Sequence, residues 1–181
     1  MGAGIVAAAG DGRNRPELVI AARAGEPQYG RVSRRVVFVT YPGITALDLV
    51  GPHEVFTAAA EVARRTGSES DGYRVEVASM AAGPLQTTRG LVVSADRALT
   101  SIRGRIDTLV VVGGEGAQAA STHRELVAWI GRAARRSRRV TSVCTGAFLL
   151  AAAGVLDGRR ATTHWRSCAE LARSYPEVTV D

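Results

Sequence analysis

Three short runs rich in β-branched residues fix most of what this chain can become. They are RRVVFVT at Arg34–Thr40, DTLVVV at Asp107–Val112 and RVTSV at Arg139–Val143. Continuous runs of this kind suit strands buried on both faces. Each stops at a turn of distinctive chemistry: Tyr41-Pro42-Gly43, Gly113-Gly114 and Cys144. Between them the period changes to helical. Glu54–Arg65 carries Val55, Ala59 and Val62 in phase, Thr122–Arg136 carries Leu126, Ile130 and Ala133, and Thr145–Ala153 reads as a third helix. YRVEVAS at Tyr73–Ser79 alternates as a half-buried strand, and Gln86–Ser94 reads as a hairpin with Gly90 near its turn. A shorter strand and helix cover Ala161–Ser174, and Val178–Val180 opens one more strand. Strands alternating with helices predict an α/β fold with a largely parallel sheet. Sites in such sheets form beyond the carboxyl ends of the strands, which directs attention to the three turns.

At 181 residues the chain suits one domain. Residues 1–33 are rich in Gly, Arg and Ala without a sustained period and are expected to be a flexible leader, leaving 34–181 as the domain. All 23 basic residues are arginine. Without lysine there is no Schiff base, no pyridoxal phosphate anchor and no Walker-type phosphate loop. Aromatics make up 5% of the chain, too few for a stacking platform on single-stranded nucleic acid. The net charge of +6 is spread out, and the cluster Arg132–Arg139 reads as a solvated helix end that suits the helix dipole. Specific DNA binding by these residues is not expected. No apolar run approaches the roughly 20 residues of a membrane span, and no basic stretch precedes the short apolar N-terminus. Val6 defeats a myristoylation motif. Two cysteines, Cys144 and Cys168, imply free thiols in a reducing, cytoplasmic setting. Three histidines without ligand spacing predict neither metal nor cofactor.

The segment SVCTGAF is the most informative. It places Cys144 where a buried strand turns into a helix, an elbow that lifts a side chain above the sheet. The following helix N-terminus favours thiolate, so Cys144 is expected to have a lowered pKa; the alternative is a cysteine packed as a small hydrophobe. In VVGGEGA, Gly113, Gly114 and Glu115 let backbone amides approach a ligand as an oxyanion cradle. Asp48, between Leu47 and Leu49, reads either as a helix cap bonding the N–H of Val50 or Gly51 or as a proton carrier beside the thiol. Glu54 follows Pro52 at an expected helix start, as dipole complement or as catalytic acid. His164 reads more readily as a structural hydrogen bonder than as a base, His123 as solvent-facing at a helix start, and Cys168 as core.

The strings ALDLVGPHEVF, GGEGA, DTLVVVGG and SVCTGAFLLAAAGVLDGRRATTHW resemble the PfpI/ThiJ superfamily of class I glutamine-amidotransferase-like domains over about Arg34–Asp181. Within it they most resemble the sensor domains of AraC-type transcriptional regulators, with GPLQTTRGLVVSADRAL on the regulators' side, and then the isonitrile hydratases. The resemblance implies a flavodoxin-like three-layer sandwich, a homodimer and a small-molecule ligand. DNA would be contacted only through a helix-turn-helix domain that is not in this sequence, and the C-terminal elements of the family are expected to be lacking. As implied by the hydratases, Cys144 is nucleophile, Asp48 acid/base, and Thr145 with Gly114 orients the adduct. Thr145 stands where the family's proteases and deglycases have histidine, and no His-Pro-Glu stretch follows, which argues against those activities and against ammonia release.

Overall fold

The computed structural model describes residues 33–67 and 72–181, with the strand β1 (Val19–Ile20). The expected leader, 1–33, lies outside the described residues apart from that strand and Ser33. The elements that follow are β2 (Arg34–Val39), α1 (Ala46–Arg65), β3 (Tyr73–Ser79), β4 (Gly83–Gln86), β5 (Val92–Ala95) and β6 (Arg97–Ala98). The second half holds β7 (Ile106–Val111), α2 (Ala117–Ser121), α3 (Arg124–Arg135), β8 (Ser137–Ser142), α4 (Ala147–Ala152), β9 (Arg160–Ala161), α5 (Cys168–Ser174) and β10 (Thr179–Val180).

The central sheet is five-stranded, all parallel, in the order β6-β3-β2-β7-β8. This is the α/β, flavodoxin-like arrangement expected. The crossover from β2 through α1 steps to β3 on one side, while that from β7 through α2 and α3 steps to β8 on the other. Right-handed connections therefore put α1 on one face and α3 on the opposite one. Val36–Val39 of β2 and Leu109–Val111 of β7 are the buried centre. Leu126, Ile130 and Ala133 of α3 are buried against the sheet, in phase as the sequence predicted, and Trp129 is buried with them.

Four details differ from expectation. Helix α1 starts at Ala46, not at Glu54, and runs through Pro52. A proline there forfeits one backbone bond, to the carbonyl of Asp48, so the helix survives it. The hairpin β4–β5 lies outside the main sheet, in a three-stranded sheet β1-β5-β4. After Cys144 the chain first makes a 3-10 turn, Cys144–Gly146, before α4. Finally, Arg138 and Arg139 belong to β8 and pair with Asp107, so the arginine cluster is only partly a helix end.

Candidate functional site

Parallel strands deliver the loops after β2, β7 and β8 to one end of the molecule. There Cys144 has φ +52, the one non-glycine residue with positive φ among the described residues. A left-handed backbone costs an L-residue about 1–2 kcal/mol. The fold holds it in place through three bonds: Val143 N–H to the Val111 carbonyl (2.9 Å), Gly146 N–H to the Val143 carbonyl (2.9 Å), and Thr163 Oγ1 to the Cys144 carbonyl (2.8 Å). Such a strained elbow is how a nucleophile or a sensing side chain is lifted from a sheet. The thiol is half-buried, not sealed.

Gly113 is where the loops converge. A Cβ there would lie 2.8 Å from Asp48 Oδ2, 2.8 Å from Cys144 Cβ and 2.5 Å from the Val143 carbonyl. Asp48 and Cys144 therefore face one hollow, and only glycine leaves it open. Asp48 lies in the first turn of α1 and does not cap it. Its Oδ2 is shielded from solvent, and no backbone or hydroxyl donor reaches it. Burial raises the Asp48 pKa, partly offset by the neighbouring Cys144 thiol and by the charge of His164.

The expected lowering of the Cys144 pKa is overturned. Burial pushes the thiol up and the Asp48 carboxylate pushes it further, against the opposing pull of the Thr145 N–H. The reason lies in α4: at six residues behind a 3-10 turn it offers little dipole, whereas a carboxylate stands beside the sulfur.

The glycine loop is also differently used. The Gly114 N–H donates to Thr145 Oγ1 (2.8 Å), and that hydroxyl donates back to the Gly114 carbonyl (2.9 Å). The Gly113 carbonyl accepts the Thr45 N–H (2.9 Å). Gly114 is thus a clasp to the elbow rather than a free oxyanion donor. The Glu115 side chain sits at the rim, 3.7 Å from Arg89.

Glu54 is not brought to the hollow. Its side chain is 74% exposed and 3.8 Å from His53, six residues along α1 from Asp48 and on another face. His164 comes near enough for Asp48 to feel its charge, and its Nδ1 accepts the Arg166 N–H (3.3 Å), a structural bond of the kind expected. His123 likewise caps α3, accepting the Leu126 N–H (3.3 Å).

Two residues escaped the sequence reading. Tyr41 is buried, donates to the Val112 carbonyl (2.7 Å), and has its pKa raised by burial and by the charges of Asp48 and Cys144. It orients the peptide that enters Gly113. Its place at the head of the first turn was the available signal. Trp165, 78% exposed, stacks on His164 with ring centres 5.7 Å apart. Among the described residues no cluster of three or more His, Cys, Asp or Glu could hold a metal. No helix among them is long and apolar enough to cross a membrane.

Residues 34–179 match the model of the DJ-1/PfpI family. An uncharacterised protein encoded in the cpoL 5′ region of Streptomyces lividans is 44% identical over 78% of this chain and 95% of its own length. The HTH-type transcriptional regulator CdhR of Pseudomonas aeruginosa is 34% identical over 79% of this chain, which spans 40% of that regulator. The isonitrile hydratase of Pseudomonas putida is 30% identical over 72% of this chain and 52% of the enzyme. A THiJ/PfpI family protein from Pseudomonas syringae superposes with a TM-score of 0.68 at 27% identity, covering 86% of this chain and 63% of that one.

Proposed function

The chain belongs to the DJ-1/PfpI family, and we propose that it is a small-molecule-sensing domain of the kind carried by AraC-type transcriptional regulators. The ligand is a small nitrogenous or amide-like metabolite held in the hollow between Asp48, Gly114 and Cys144, in a domain spanning 34–181. Any specific DNA contact would come from a separate helix-turn-helix domain. The observation that carries this reading is the elbow cysteine kept as a thiol: a strained backbone presents it, yet burial and Asp48 hold its proton on. A binding site tolerates that state; a resting nucleophile works against it.

The second reading, a cysteine-dependent isonitrile hydratase, is favoured by one observation: Asp48 is an acceptor beside the thiol with a raised pKa, which suits a proton carrier. The sulfur would bond to the isonitrile carbon while the thiol proton passed to Asp48 and on to the adduct. Water would then cleave the thioimidate, releasing an N-substituted formamide and restoring the thiol. Cyclohexyl isonitrile with wild-type protein and Cys144→Ala separates the two readings. We expect no difference between them. Turnover that falls 1,000-fold or more in Cys144→Ala would replace the sensing reading with the enzymatic one.

We propose a homodimer, for which α1 offers a face. Leu47, Val50, Val55 and Val62 are large apolar side chains exposed along α1, at 74%, 38%, 68% and 58%. Their spacing forms a stripe on the outer side of a helix whose inner side packs on the sheet. We expect the protein to sediment as a dimer and Leu47→Glu with Val55→Glu to sediment as a monomer. A double variant that stays dimeric would move the interface elsewhere.

A further inference from the structure

We propose that the end of the molecule opposite the Cys144 site docks the phosphate backbone of a nucleic-acid duplex, without regard to its sequence. This surface is independent of the sensing reading. Strands β2, β3, β7 and β8 of the central sheet start there, and α1 and α3 end there, so the fold gathers Arg34, Arg35, Arg74, Arg138 and Arg139 from strand starts and Arg64, Arg65 and Arg136 from helix ends. Arg103 and Arg105, just before β7, join them: the Arg103 carbonyl accepts from Arg35, and the Ile102 carbonyl accepts from Arg136.

Local carboxylates do not neutralise this end. Each is shared by two arginines. Glu76 binds Arg35 (2.7 Å) and Arg74 (2.9 Å), Asp107 binds Arg138 (2.7 Å) and Arg139 (3.4 Å), and Glu61 binds Arg64 and Arg65. Arg34, Arg103, Arg105 and Arg136 have no carboxylate partner among the described residues. Among the described residues, the ten arginines gathered at this end face three carboxylates, Glu61, Glu76 and Asp107. Helix dipoles account for cations at the ends of α1 and α3, but not for those at the strand starts.

Duplex phosphate fits this surface better than an acidic protein does. A protein interface needs an apolar centre. Of the large exposed apolar side chains only Val62, near the end of α1, borders this surface; Leu47, Val50 and Val55 lie farther along α1 and Trp165 lies beside the site. Phosphate needs only charge, and four strands about 4.8 Å apart spread that charge over a width of about 14 Å. Duplex DNA presents about one negative charge per 1.7 Å of its axis, enough to engage the whole row.

The test is fluorescence anisotropy of a labelled 20-base-pair duplex of scrambled sequence, titrated with the full chain between 50 and 200 mM NaCl. We expect sequence-independent binding that weakens steeply with salt. The triple variant Arg34→Gln, Arg103→Gln, Arg105→Gln should flatten the log–log salt slope by about 0.9 per arginine lost. The triple variant Arg89→Gln, Arg124→Gln, Arg166→Gln, at the site end, should keep the wild-type slope. Circular dichroism melts confirm that both variants are folded. The proposal is overturned by no binding at 50 mM salt, by equal losses in the two triple variants, or by poly-glutamate displacing the duplex at matched charge.

Discussion

Gly146→Ala is expected to lower the melting temperature by roughly 6–12 °C, a loss of about 3 kcal/mol for a domain of this size. The residue has φ −56, which any amino acid adopts, so the effect is not conformational. It is steric. A Cβ on Gly146 would lie 2.3 Å from the Val111 carbonyl oxygen and 3.0 Å from that of Val112. Val111 is the last residue of β7 and Val112 follows it, both buried, and the Val111 carbonyl already accepts the Val143 N–H that fixes the elbow. Neither strand can retreat without breaking the ladder between β7 and β8.

Gly158→Ala provides the contrast. That glycine has φ +68 but nothing within 4 Å of its absent Cβ. Alanine there meets only the left-handed penalty, about 1–2 kcal/mol. Thermal melts of the two variants therefore separate close approach from backbone freedom. A Gly146→Ala protein melting within 2 °C of wild type would mean that the elbow does not press on β7 as the coordinates place it.

Contacts of this kind also explain what was legible in the sequence. The strands β2 and β7 could be read because burial on both faces demands β-branched runs, and β3 because it alternates; the position of Cys144 followed from a further run, β8, ending abruptly, although β8 proved to be a partly exposed strand rather than a buried one. That Asp48 stands beside the thiol could be read from the residues only as one of two alternatives, helix cap or proton carrier, and the family resemblance favoured the second. The start of α1 was misread because Pro52 looks like a boundary, whereas the fold tolerates it with one lost bond. The thiol's proton affinity was misread for a different reason. Sequence shows that a helix follows Cys144, but not that it is short and opens as a 3-10 turn, nor that a carboxylate from α1 arrives beside the sulfur. The Gly114 clasp to Thr145 joins residues 31 apart and has no local signature.

Asp48→Asn is expected to make Cys144 more reactive toward iodoacetamide, not less. In the wild type, burial and then the Asp48 charge raise the thiol above its ordinary value of 9.0. Since the thiolate is the species that reacts, peptide-resolved alkylation of Cys144 should show a midpoint above 9.0, with slow reaction at neutral pH. Asparagine removes the charge and brings an amide N–H that can donate to the thiolate, so the midpoint should fall. Stability moves with the same groups. The folded Asp48 carboxyl holds its proton above the ordinary 3.8, so the fold binds more protons than the unfolded chain between that value and the raised one. Wild-type stability should therefore decline as pH rises through this window, a cost still present at pH 7. Asp48→Asn should melt higher than wild type at pH 7 and lose that advantage at pH 3, below both values. In a hydratase the same substitution would abolish turnover while speeding alkylation, since the proton carrier is lost and the thiolate is freed. A wild-type midpoint at or below 9.0, or a midpoint that rises in Asp48→Asn, would show that the backbone dipole governs the sulfur and that Asp48 does not face it.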